Sequence, residues 1–146
     1  MKKKFTLATI LGTFLVMCSF AQPNKKDDID ALRVTIFNKT MGMSTDESAK
    51  FWPVYNDYMQ KKETARKSHM AANKVKYQNL DKLSDEEANA LIKAEQNYKQ
   101  TELDLHVDMM KKVKIILSPK KTALIYKAEE EFRKKLMELV KEKNEK

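Results

Sequence analysis

Apolar residues recur at three- and four-residue steps along most of this chain, the spacing that lines one face of an α-helix. Ile29, Leu32, Ile36 and Phe37 form the first such run. They predict a helix over 27–41, with Asp27, Asp28 and Asp30 at its positive dipole end. Gly42 then occupies the left-handed position that ends many helices. Phe51, Val54, Tyr55, Tyr58 and Met59 open a second helix, predicted over 45–77. Its apolar content then thins, because Gln60 to Lys74 holds only Ala65, Met70, Ala71 and Ala72. That half of the helix reads as an open surface and not as a second core. Ala88, Leu91, Tyr98, Leu105, Met109, Val113 and Ile116 predict a third helix over 85–116, interrupted at Glu95 and Glu102. Leu124, Ala128, Phe132, Leu136 and Leu139 predict a fourth over 119–144. No segment alternates apolar and polar residues between turn signals, as a strand would.

Local punctuation marks the same elements. Ser44 and Glu47 are spaced as a capping box, in which the serine caps the helix and the glutamate reaches back. Ser84 and Glu87 repeat it, and Ser118 with Pro119 gives a cap with proline at the first helical position. Pro53 falls inside the second helix, where it removes one backbone bond and should bend the chain. The fold class is therefore all-α: four helices, two of them about 48 Å long at 1.5 Å per residue. Helices that long form a hairpin or coiled coil, and a second copy of the chain is expected to cover what one copy leaves bare.

The first 21 residues change the picture of where the chain works. Lys2, Lys3 and Lys4 precede an apolar stretch that closes on Ser19-Phe20-Ala21, the three parts of a cleavable secretory leader. Residues 22–146 are then one exported domain. Cys18 is the only cysteine and leaves with the leader, so neither a disulfide nor a thiolate metal site is expected. Losing three lysines lowers the net charge from +8 to +5. Export also makes nucleic acid a poor partner for these cations, and no transmembrane span is expected after cleavage.

Candidate chemistry is sparse. His69 and His106 are the only histidines and lie outside any complete metal-ligand pattern. No nucleophile is paired with a base and no glycine-rich phosphate loop occurs, so neither an enzyme nor a cofactor site is expected. The candidate partner-binding residues are the cations Lys61, Lys62, Arg66, Lys67, Lys74 and Lys76, with Met70 among them. Against Glu63 alone, these cations give a local excess of +5. A solvated helix face is the plain alternative. Trp52 and Tyr58 are the rings that could be shown to a partner, or they could pack in the core with Phe51 and Tyr55.

Met43-Ser44-Thr45-Asp46-Glu47 and Leu117-Ser118-Pro119-Lys120-Lys121 resemble the paired L-T-x-x-Q motifs of Spy/CpxP-like periplasmic proteins. The stretch from Ser48 to Tyr55 and the run Ala128-Glu129-Glu130-Glu131-Phe132 are similar to a branch labelled "sensor of ECF-type sigma factor". Glu47 and Lys121 stand where that family has glutamine, and Met43 replaces leucine. The resemblance implies an interlocked dimer of helical hairpins that binds unfolded proteins without ATP. It also implies an alternative, a sensor docking one envelope partner, and a third, a heavy-metal sensor. The metal-binding relatives' ligands have no counterpart here. On the resemblance and the charge together, the clients expected are unfolded or acidic envelope proteins.

Overall fold

A computed structural model describes residues 25–144 of the chain. It contains α1 (Lys25–Met41), α2 (Thr45–Gln78), α3 (Asp85–Ile116) and α4 (Pro119–Asn144), with a single 3-10 turn at Leu80–Lys82. No strand occurs among the described residues. The starts at 45, 85 and 119 are the expected ones, α1 begins two residues before the expected 27, and α2 runs one past 77. The expected leader, its cleavage site and Cys18 lie outside the described residues. None of the described helices is long and apolar enough to cross a membrane.

The helix ends follow from local chemistry. Gly42, at φ +57°, lets its own N–H bond Lys39 O while the Met43 N–H bonds Asn38 O. That double closure satisfies two carbonyls that the end of α1 would otherwise leave bare. Both capping boxes form. Ser44 Oγ accepts from the Glu47 N–H while Glu47 accepts from the Ser44 N–H, and Ser84 and Glu87 do the same. Ser118 Oγ accepts from the Lys121 N–H at the start of α4. α2 stays helical through Pro53, whose ring is exposed.

α1 packs along α4 and α2 along α3. The two pairs share one apolar core, at the end where α1 and α3 finish and α2 and α4 begin. Phe37 and Met41 enter it from α1, Phe51, Tyr55 and Tyr58 from α2, Met109 and Val113 from α3, then Leu117, Ile125 and Ala128. Phe37 is fully buried, with the rings of Tyr55, Trp52 and Phe51 centred 5.0, 5.7 and 6.3 Å away. Tyr55 keeps its hydroxyl satisfied by donating to Glu129 at 3.3 Å. Burial and that carboxylate push its ionisation far above the ordinary range. Beyond this core the rest of α2 and α3 projects as a two-helix arm.

Glu47 and Lys121 meet across the core end. Lys121 Nζ donates to Glu47 Oε2 at 2.6 Å, joining the start of α2 to the start of α4. The lysine bond first, and the Ser44 N–H second, hold the Glu47 carboxyl below its ordinary range. A group lowered in the folded state stabilises above its unfolded value and loses that contribution as pH falls through its folded value. Acid unfolding of Glu47→Gln should therefore depend less on pH below about 4.3, the unperturbed glutamate value. Ser44→Ala and Ser118→Ala should each cost about 0.5–2 kcal/mol, the usual range for a lost N-cap. Urea titrations monitored by circular dichroism at steps from pH 7 down to pH 3 check both expectations.

Candidate functional site

The basic stretch does not form one face. At about 100° per residue, cations between 61 and 76 are distributed around α2. Lys62 turns toward α3, where its ammonium lies 3.9 Å from Glu102 and 5.9 Å from the Tyr58 ring centre. Lys76 is half-buried on that same side. Lys61 pairs with Asp57 at 2.7 Å, and Arg66 takes Glu63 through two 2.8 Å bonds. Arg66, with Lys67 adding to it, holds the Glu63 carboxyl down at about 2. The expectation that all six cations attract a partner together is corrected: several are spent on carboxylates of this chain.

What remains outward is smaller. Lys67, Met70 and Lys74 lie within about 60° of one another on the side of α2 away from α3. All three are exposed. Lys67 reaches Glu63 only at 3.5 Å, behind Arg66, and Lys74 has no carboxylate within ion-pair distance among the described residues.

The ring expectations divide. Tyr58 is 7% exposed and packs beside Tyr55, so its proposed presentation to a partner is corrected: position 58 points at the α2–α3 seam. Trp52 is half-buried against Phe37, and its indole N–H donates to Asn38 Oδ1 at 3.2 Å and Ser48 Oγ at 3.1 Å. With its polar edge engaged, the rest of Trp52 lines an open cleft of about 880 Å³ between α1 and α2. α1 touches α2 through Phe37 and stands apart from it further back. Ile29, Asp30, Arg33 and Val34 face Asn56, Met59, Gln60, Glu63, Thr64 and Lys67 across the gap. Comparison with protein-family models, curated proteins and solved structures finds no match.

His69 packs between α2 and α3. Its side chain is 9% exposed and stacks on Tyr98 at 4.5 Å. Nε2 lies 2.8 Å from Glu95 Oε1 and 2.9 Å from the Tyr77 hydroxyl. Buried Asn73 donates through Nδ2 to the His69 carbonyl, so it turns the same amide N–H₂ toward Nδ1, 3.4 Å away. Glu95 and Glu102, which interrupt the apolar stripe of α3, thus meet polar partners on α2. The thin half of α2 is a polar seam against α3, and the reading of it as wholly open surface is corrected. A signal was present: His69, Asn73 and Lys76 continue the three- and four-residue steps that Tyr58, Lys62 and Ala65 begin. Among the described residues, no three His, Cys, Asp or Glu side chains are grouped to hold a metal ion.

The seam makes a stability prediction. His69→Leu takes a shared partner from Glu95, Tyr77 and Asn73 and should cost about 0.5–1.5 kcal/mol. Adding Glu95→Leu should change stability little beyond that, since the carboxylate it removes is 39% exposed and already hydrated. Urea denaturation of the two variants beside the parent measures both steps.

Proposed function

We propose that the protein is an ATP-independent holdase of the Spy/CpxP type. It is exported to the periplasm by the leader at residues 1–21 and works as a homodimer on unfolded or acidic envelope proteins. One observation carries this reading: the apolar cleft at Trp52 runs along α2 into the exposed face of Lys67, Met70 and Lys74, and no part of the described chain covers either. Apolar contact with loosely held cations beside it suits weak binding of many sequences. Methionine, flexible and polarisable, adapts to differently shaped partners.

The dimer is supported by a second apolar row on α3. Ile92, Leu103 and Val107 are exposed on α3, outside the core. The helix begins acidic, at Asp85, Glu86 and Glu87, and ends basic, at Lys111, Lys112 and Lys114. Antiparallel pairing with a second α3 sets each acidic start against a basic end and opposes Ile92 to Val107 of the partner.

Aggregation assays with two chemically unrelated clients test the function. The parent protein is expected to suppress both. Suppression of neither contradicts the proposal, and suppression confined to one defined partner favours the sensor reading. Lys67→Glu with Lys74→Glu should remove most of the salt dependence of client association, because exposed charges are screened beyond about 8 Å at physiological ionic strength. Stopped-flow binding at low and high salt measures it. For the dimer, light scattering should give twice the chain mass, and Leu103→Lys with Val107→Lys should return it to the monomer mass.

A further inference from the structure

The cleft between α1 and α2 restricts what can fill it. Both walls are α-helices, whose backbone N–H and C=O groups are consumed in their own ladders. No strand edge borders it. An extended segment would lay its backbone polar groups along Ile29, Val34, Trp52 and Met59, where only scattered side chains such as Asn56, Gln60 and Thr64 could pair them, and each group left buried and unpaired is costly. A helix arrives with those groups already satisfied. Trp52 adds to the restriction, since both Asn38 and Ser48 already take its N–H and only its hydrocarbon is left to offer.

Charge narrows the occupant further. Asp30 and Arg33 pair at 2.7 Å, and Arg33 also lies over the Phe132 ring at 4.6 Å. Glu63 is committed to Arg66. These groups cancel within the chain. Lys67 at the rim is left, its side chain 71% exposed and second in line for Glu63. Lys74, two turns further along α2, continues the same sign. A carboxylate on the incoming segment meets both.

Resting on the holdase reading and narrowing its client class, we infer that the α1–α2 cleft is a docking groove for amphipathic helices with an acidic flank. The apolar ridge of such a helix lies against Val34, Trp52 and Met59, and its carboxylates face Lys67 and Lys74. Trp52 to Lys67 spans about 22 Å at 1.5 Å per residue, four turns of a client helix. The preferred partner is therefore a segment that has lost its tertiary contacts and kept its helix.

The probe is a synthetic peptide of about 16 residues, with leucines at helical spacing and glutamates on one flank. One control carries two central prolines, and a second replaces the glutamates by lysines. Trp52 is the only tryptophan, so its emission reports occupancy of the groove in the intact protein. The acidic helical peptide should shift Trp52 emission saturably, the lysine version should bind more weakly, and the proline version should not bind. Val34→Glu, at a position 38% exposed and so tolerant of change, should weaken binding by about tenfold or more by placing an unpaired charge in apolar contact. Lys67→Glu should mainly slow association. Equal affinity for the proline peptide, or unchanged affinity in Val34→Glu, overturns the groove. Aggregation suppression that persists while the acidic peptide fails to bind leaves the holdase role standing and overturns the groove alone. Peptide binding that Val34→Glu abolishes in a protein without suppression supports the groove and defeats the holdase role.

Discussion

Phe37 sits with no exposed surface where the ends of four helices meet, inside a cage made by Phe51, Trp52 and Tyr55 of α2. Buried aromatic side chains carry much of the energy of a small core, and tilted rings at these separations add to it. The described residues hold one cluster of this kind. α1 reaches α2 through Phe37, α4 enters through Ile125 and Ala128, and α3 closes it with Met109 and Val113. The Gly42 turn, the Ser44 and Ser118 caps and the Glu47–Lys121 bridge all stand at this end. They set the angles at which long helices leave a single anchor point.

Two consequences follow from having the core at one end. The α2–α3 arm extends past the reach of the core, and a polar seam of His69, Asn73, Glu95 and Tyr77 holds much of it. Such a seam specifies register well, because a displaced helix would orphan every member of it at once. It contributes less to stability than apolar packing of similar area. Meanwhile α1 parts from α2 on leaving the core, and the parting creates the cleft. The proposed binding surface is thus a product of where the core lies. It needs no dedicated loop or pocket.

The helices and their ends were legible in the sequence because their signals are local. A serine three residues before a glutamate caps whatever follows, and a glycine at a left-handed turn ends what precedes. The face each residue shows was harder to read, because that depends on which helix becomes the neighbour. Tyr58 looked available for a partner until α3 was seen packed against it. The cations from Lys61 to Lys76 looked like one patch because they are close in sequence, yet helical geometry turns Lys62 and Lys76 inward and leaves Lys67 and Lys74 outward. His69 and Glu95 were each visible as interruptions in an apolar pattern, and only their pairing across the hairpin explains them. Glu47 and Lys121 could be placed at equivalent motif positions, while their bond needed the folded arrangement.

One aromatic junction organises all four helices. Phe37→Ala removes the ring at its centre and should cost about 3–5 kcal/mol, the range for a large aromatic lost from a packed core. Thermal or urea unfolding of this variant, followed at once by far-ultraviolet circular dichroism and by Trp52 fluorescence, tests the claim directly. Both transitions should move together, because the described helices share one large apolar anchor. A fluorescence transition that moves while the helical signal melts where it did before would show that the arm is stable on its own, and would contradict the account.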